Sequence, residues 1–164
     1  MGFKDNLAEK TKLPTDILPS SYHILGNILL LKLHVTAAKH KQNIGKAILN
    51  MFPYIKTVCL QKGVSGEFRL PKIEIIAGLK KTETIHHELG CKFKLDVLKI
   101  MWSKGNHAER QHMIHVAKPQ EIIVDMFAGI GYWSIPIAKH TKAKEIFAIE
   151  KNPLSFKYLQ ENIR

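Results

Sequence analysis

Residues 122–131, Ile-Ile-Val-Asp-Met-Phe-Ala-Gly-Ile-Gly, constrain the fold more than any other stretch of the chain. An apolar run of strand length leads directly into two glycines, and a helical pattern follows from about Ser134 to Lys139. Glycine lets the backbone take positive φ and lets a ligand approach closely. The start of the following helix carries N–H groups that no helical carbonyl can accept. A second strand pattern, Glu145–Ile149, ends on Glu150, and Pro153 then opens another helix. This β-α-β-α order predicts a parallel sheet with a ligand at the carboxyl ends of its strands.

The chemistry of the turn narrows the ligand. A dinucleotide fingerprint asks for a third glycine three residues after the second, and that position is Ser134. S-adenosylmethionine (SAM) has no phosphate. Its amino-acid end needs backbone donors and an acidic neighbour for its ammonium, and Asp125 is placed to supply or organise that neighbour. Glu150, at the end of the second strand, is placed to accept both ribose hydroxyl protons, as the acid about 20 residues on does in Rossmann sites. SAM is therefore the expected cofactor; a nicotinamide-type dinucleotide and a purely structural turn are the alternatives.

The sequence in front is strongly basic. Residues 1–115 hold 18 Lys and Arg against 9 Asp and Glu, residues 116–164 hold 7 against 5, and eight of nine histidines lie in the first part. The net charge of +11 concentrates polyanions, nucleic acid first among them, although a lysine-rich protein without such a partner fits the same number. Tyr22–His34 reads as a strand pair or one long strand, with Gly26-Asn27 a candidate turn, Ala37–Met51 as a helix, and Ile55–Leu60, Lys72–Ala77 and Glu83–Trp102 as strands, the last interrupted at Gly90. Val64–Arg69 reads as a loop. Asn106 is placed to cap a helix through His115, with Glu109 completing a capping box. Lys118-Pro119 marks a boundary, which divides the chain into an N-terminal segment 1–14, a basic α+β module 15–115 and a Rossmann-like part 116–164. Only two strands of that last sheet precede Arg164, where five or more are usual, so the chain is expected to be truncated at its C-terminus.

Other classes are disfavoured. No apolar run reaches the ~20 residues of a membrane helix, and the N-terminus lacks a signal-peptide core. Cys59 and Cys91 offer neither a disulfide framework nor metal spacing, and adjacent strand histidines such as His86 and His87 point to opposite faces. A cytoplasmic monomer without membrane or metal partners is expected.

Val124–Ala138, Ala148–Pro153 and Tyr158–Ile163 resemble the Trm5/TYW2 family of SAM-dependent enzymes that modify tRNA at position 37. Leu25–Leu31, Gly63–Arg69 and Met101–Arg110 extend the resemblance over roughly residues 15–164. It implies an α/β chain: an N-terminal α+β RNA-recognition module followed by the first half of a class I Rossmann-like methyltransferase sheet. The methylating branch typically carries Ser-Pro-Arg before its Glu-Arg pair, whereas this chain has Ser103-Lys-Gly-Asn106. That form resembles the TYW2 branch, which moves the 3-amino-3-carboxypropyl group of SAM to carbon 7 of the wyosine precursor in wybutosine synthesis. A tRNA (guanine37-N1)-methyltransferase and a non-catalytic RNA-binding fragment are the alternatives.

The resemblance carries cofactor contacts onto Ser103, Arg110 and Glu150. With the turn and its flanks, the candidate cofactor set is Ser103, Arg110, Asp125, Phe127, Ala128, Gly129, Gly131, Glu150 and Asn152. Arg69, Lys80, Lys81 and Lys104 are the candidate tRNA contacts. Of Tyr132 and Trp133, one is expected in the core and one free to stack on a base. In either branch a base atom attacks a carbon on a positive sulfonium, so the leaving group departs neutral and positioning is the main demand. No acid–base constellation is evident, and the catalytic residues stay unassigned.

Overall fold

The computed structural model describes residues 2–164. Their contacts define two compact units: one runs to Thr84 and takes in Asp96–Met101, the other comprises Ile85–Leu95 and Trp102–Arg164. This division falls elsewhere than Lys118-Pro119. That dipeptide lies in a local turn, closed by the Glu121 carboxylate accepting from the Lys118 N–H at 2.8 Å, and the helix before it and the strand after it belong to the same unit.

In the first unit, strands β1 (Tyr22–Leu25), β2 (Ile28–Leu31), β3 (Thr57–Ser65) and β4 (Leu70–Gly78) form one sheet in that order. β1 and β2 are an antiparallel hairpin turning at Gly26-Asn27, the first of the two readings of this segment, with Gly26 at φ 54°. β2 and β3 run parallel, so a crossover must return the chain. A 3-10 segment (Val35–His40) and helix α2 (Lys41–Met51) supply it. β3 and β4 pair antiparallel up to Ser65↔Leu70, which shortens the expected loop to the residues between them.

The core follows from helix periodicity. Ile44, Ala47 and Ile48 of α2 are buried with Leu29, Leu31, Val58, Leu60 and Ile76 of the sheet, and each buried aliphatic side chain contributes about 1.5–3 kcal/mol. Gly45 lets α2 approach β4, since a Cβ there would sit 2.8 Å from that of Ala77. The N-terminal segment is part of this core: Phe3–Thr11 is helix α1, and its Leu7 is fully buried.

In the second unit, most of the hairpin β5 (Glu83–Glu88) and β6 (Cys91–Asp96) joins helix α3 (His107–Val116), strand β7 (Ile122–Asp125), helix α4 (Ser134–His140), strand β8 (Glu145–Ala148) and helix α5 (Pro153–Ile163). β7 and β8 are parallel, Val124 facing Phe147 and Asp125 facing Ala148 in register, which is the Rossmann-like opening that the pattern predicts. Asn162 of α5 ties the parts together, accepting from the Lys94 N–H at 2.8 Å and donating to the Ile130 carbonyl at 3.1 Å. The capping box expected at Asn106 does not form. Asn106 precedes α3 but makes no side-chain cap bond: the 3-10 turn (Lys104–Asn106) that enters the helix leaves it at φ −91°, ψ 8°, outside the extended conformation from which a cap side chain reaches the second and third helical N–H groups. Among the described residues no helix is long and apolar enough to cross a membrane.

Candidate functional site

The turn after β7 is braced from both flanks. Asp125 ends the strand; one carboxylate oxygen accepts from the Ser134 hydroxyl at 2.6 Å and the other from the Phe127 N–H at 3.3 Å. Ser134 thus links the strand end to the first residue of α4, where a dinucleotide site would want glycine. The Ala128 N–H donates to the Ile149 carbonyl at 2.9 Å, and the Ile149 N–H to the Asp125 carbonyl at 2.8 Å. Ala128 and Ile130 are fully buried anchors, whereas Phe127 is 83% exposed. Gly129 and Gly131 have φ of 60° and 98°. A Cβ on Gly129 would lie 2.4 Å from the Tyr132 ring, so both backbone conformation and space require glycine there.

Glu150 closes the site from the other strand. One carboxylate oxygen accepts from the Gly129 N–H at 2.7 Å and the other from the Asn152 N–H at 2.6 Å. Each oxygen of a carboxylate has more than one acceptor position, so the group retains capacity for hydroxyl donors. Asn152 caps α5, its side-chain oxygen accepting from the Leu154 and Ser155 N–H groups at 3.0 and 3.5 Å. Asp125, Phe127, Ala128, Gly129, Gly131, Glu150 and Asn152 therefore form one connected arrangement.

Ser103 and Arg110 belong to a second cluster of the same unit. Arg110 is 2% exposed. Its Nε donates to Glu88 at 2.6 Å, its Nη2 to the Ser103 carbonyl at 3.2 Å, and its guanidinium lies 5.1 Å from the Trp102 ring centroid. Trp102 packs on Phe93 and Tyr132 at 5.1 and 5.2 Å and on His86 at 4.7 Å, all edge-on. Burial pushes the Tyr132 phenol well above its ordinary range; the charge of Arg110 works against this and that of Glu150 adds to it. Tyr132 is thus the aromatic residue that joins the turn to the Arg110 cluster. Sequence reasoning missed Glu88, because an acid in a His-His-Glu strand carries no spacing signature.

The three candidate tRNA residues of the first unit are not gathered into one patch. Arg69 is exposed at the β3–β4 hairpin tip, with φ 50°, while Lys80 and Lys81 are exposed beyond the other end of β4. Nine extended residues separate those ends by about 30 Å. Lys104 is exposed in the second unit. Both cysteines are buried, and burial pushes the Cys59 thiol up to about 12, far from the range of a reactive thiolate. Among the described residues no group of His, Cys, Asp and Glu is arranged to hold a metal ion.

Residues 84–164 match the family model of the TRM5/TYW2 methyltransferase domain, and residues 3–82 that of the TYW2 N-terminal domain. A tRNA(Phe) (4-demethylwyosine(37)-C(7)) aminocarboxypropyltransferase of Methanocaldococcus jannaschii is 57% identical over 101 residues, 62% of this chain and 40% of that protein. The protein of the same name from Pyrococcus horikoshii is 43% identical over 167 residues, 99% of this chain and 59% of that protein. This chain therefore spans roughly half the length of these curated relatives. The crystal structure of P. horikoshii TYW2 in complex with MeSAdo matches with a TM-score of 0.79 and 41% identity, covering 98% of this chain and 58% of that one. The complex structure of aTrm5 and tRNALeu matches with a TM-score of 0.86 and 31% identity, covering 99% of this chain and 49% of that one.

Proposed function

Because the chain belongs to the TRM5/TYW2 family, we propose that it acts in the SAM-dependent transfer of the 3-amino-3-carboxypropyl group to carbon 7 of the wyosine precursor at position 37 of tRNA. The observation that carries the cofactor reading is the Glu150 carboxylate drawn onto the Gly129 N–H at 2.7 Å. It sets an acceptor for ribose hydroxyls beside a turn whose backbone is open to a ligand.

The residues fit SAM. Glu150 would hold the ribose hydroxyls, Phe127 offers an exposed ring for adenine, and Asp125, with the Gly129–Gly131 backbone, would face the polar groups of the amino-acid end. Ser103 and Arg110 are proposed to orient that end. Bound SAM supplies an electrophilic carbon on a positive sulfonium. The protein's part is to bind, to exclude water and to hold the tRNA base in line, which contributes several kcal/mol of barrier reduction. Arg69, Lys80, Lys81 and Lys104 are proposed phosphate contacts, and the protein is proposed to work as a cytoplasmic monomer.

The branch assignment is supported by Ser103-Lys-Gly-Asn106 and by the aminocarboxypropyltransferase names of the relatives at 57% and 43% identity. The likeness to aTrm5 favours the methyltransferase reading. Incubation of wyosine-precursor tRNA with SAM labelled separately in its methyl and carboxyl groups tests the choice. Carboxyl label on the tRNA supports aminocarboxypropyl transfer, and methyl label alone overturns it.

A further inference from the structure

Glu88, at the end of β5, is the acid around which the second cluster is built. Its side chain is 11% exposed, and its two oxygens have different partners. One accepts from Arg110 Nε at 2.6 Å; the other lies 3.1 Å from His107 Nδ1 and 3.9 Å from His86 Nε2. The Ser103 carbonyl takes Arg110 Nη2. Two acceptors from different segments thus fix the plane of one guanidinium, a geometry that suits arginine's planar fork.

This arrangement leaves donors over. A guanidinium has five N–H groups, and the bonds to Glu88 and Ser103 engage Nε and Nη2, leaving the Nη1 edge. Trp102, whose ring centroid lies 5.1 Å from the guanidinium carbon, is 7% exposed and its Nε1 has no hydrogen-bond partner, the single such buried side-chain atom among the described residues. A buried donor without an acceptor is costly. An ion pair this buried is also a poor device for stability alone, because apolar residues of the same volume often serve as well. The cluster reaches the glycine turn through Tyr132, which packs on Trp102 and lies against Gly129.

We propose that Glu88 is a positioning residue: it holds the Arg110 guanidinium, stacked over the Trp102 ring, so that its free edge receives the carboxylate of the amino-acid end of SAM. The proposal rests on the reading of Arg110 as a cofactor contact. It assigns to Glu88 a part in selecting the complete donor over its nucleoside portion. Glu88 does not touch the cofactor; it acts through Arg110.

Binding of SAM and of methylthioadenosine, which lacks the amino-acid end, separates this role from a merely structural one. With Glu88→Gln, SAM affinity is expected to fall about tenfold, the size of one charge-assisted hydrogen bond, while methylthioadenosine affinity stays within about twofold. Arg110→Gln should give the same selective loss, and the double variant no more than either alone. Glu88→Asp keeps the charge and serves if Glu88→Gln does not fold; it is expected to lose about threefold on SAM and nothing on methylthioadenosine. Equal losses on both ligands, or no loss in any variant, overturn the role of Glu88 while leaving the cofactor site standing. Wild-type protein that binds neither ligand overturns the cofactor reading, and the role of Glu88 with it.

Discussion

The Glu150 carboxylate accepts the Gly129 N–H at 2.7 Å, so the acid that ends β8 is coupled to the turn that follows β7. Its other oxygen takes the Asn152 N–H at 2.6 Å. A residue proposed to read the ribose therefore also sets the shape of the loop beneath it. Its substitution should show in two observables.

Glu150→Ala leaves two backbone N–H groups without their acceptor and is expected to cost the second unit about 1–3 kcal/mol. SAM affinity should fall at least tenfold, with tRNA affinity nearly unchanged. Calorimetry with SAM and filter binding with tRNA check this, and an equal fall in both would mean a folding defect.

Gly129→Ala places a methyl 2.4 Å from the Tyr132 ring at φ 60°, and a loss of about 1–3 kcal/mol is expected from strain and overpacking. Gly105→Ala is the control. A Cβ there meets nothing within 4 Å, so its unfolding free energy in urea should stay within about 0.5 kcal/mol of wild type.

Acid should weaken the second unit in two stages. Burial, partly offset by the nearby Glu88 charge, holds the His86 pKa below its ordinary 6.5. The unfolded chain then binds the proton first, and stability is lost as pH falls below about 6.5. For Glu88, burial is the largest single influence and raises the pKa. The hydrogen bonds and charges of Arg110 and His107 together outweigh it, so the carboxyl titrates below its ordinary 4.5. Its contribution is complete above that value and is lost as pH falls through the depressed pKa. Thermal melts from pH 8 to pH 3 should show both stages, and Glu88→Gln should remove the second.

Leu7→Ala is expected to cost about 2–5 kcal/mol, as other fully buried leucines do. Leu7 is 0% exposed in the core that α2 shares with the sheet. Hydrogen exchange in β2 and β3 should accelerate with it; unchanged protection would mean that α1 is merely laid on the surface.

The elements that were legible in the sequence are those whose pattern is local. The β7 turn, Glu150 and the Pro153 helix start each rest on a few consecutive residues, and the structure has them where the pattern puts them. The helix over Phe3–Thr11 was not legible, because Lys4, Asp5, Asn6, Glu9 and Lys10 dilute its apolar face and its burial depends on packing against α2. The Asn106 capping box fails for a related reason: the motif is present, but the 3-10 turn ahead of it holds the Asn106 backbone out of the extended conformation that a cap needs. Glu88 was hidden because its meaning lies in Arg110, 22 residues away. Pairings at that range are fixed by tertiary structure.

The alternation of the chain between its two compact units at 84–85, 95–96 and 101–102 bears on how such a protein can be altered by recombination. A single crossover between homologous genes within this stretch leaves at least one unit with segments from both parents. The hairpin of Ile85–Leu95 would then have to pair with an α3 and an α5 that did not diverge alongside it. Exchange of one whole unit needs three matched junctions. A breakpoint inside 85–101 mixes both units at once, whereas one at the exposed β3–β4 tip mixes only the first, so functional chimaeras should be rarer with breakpoints between residues 85 and 101 than with breakpoints at that tip.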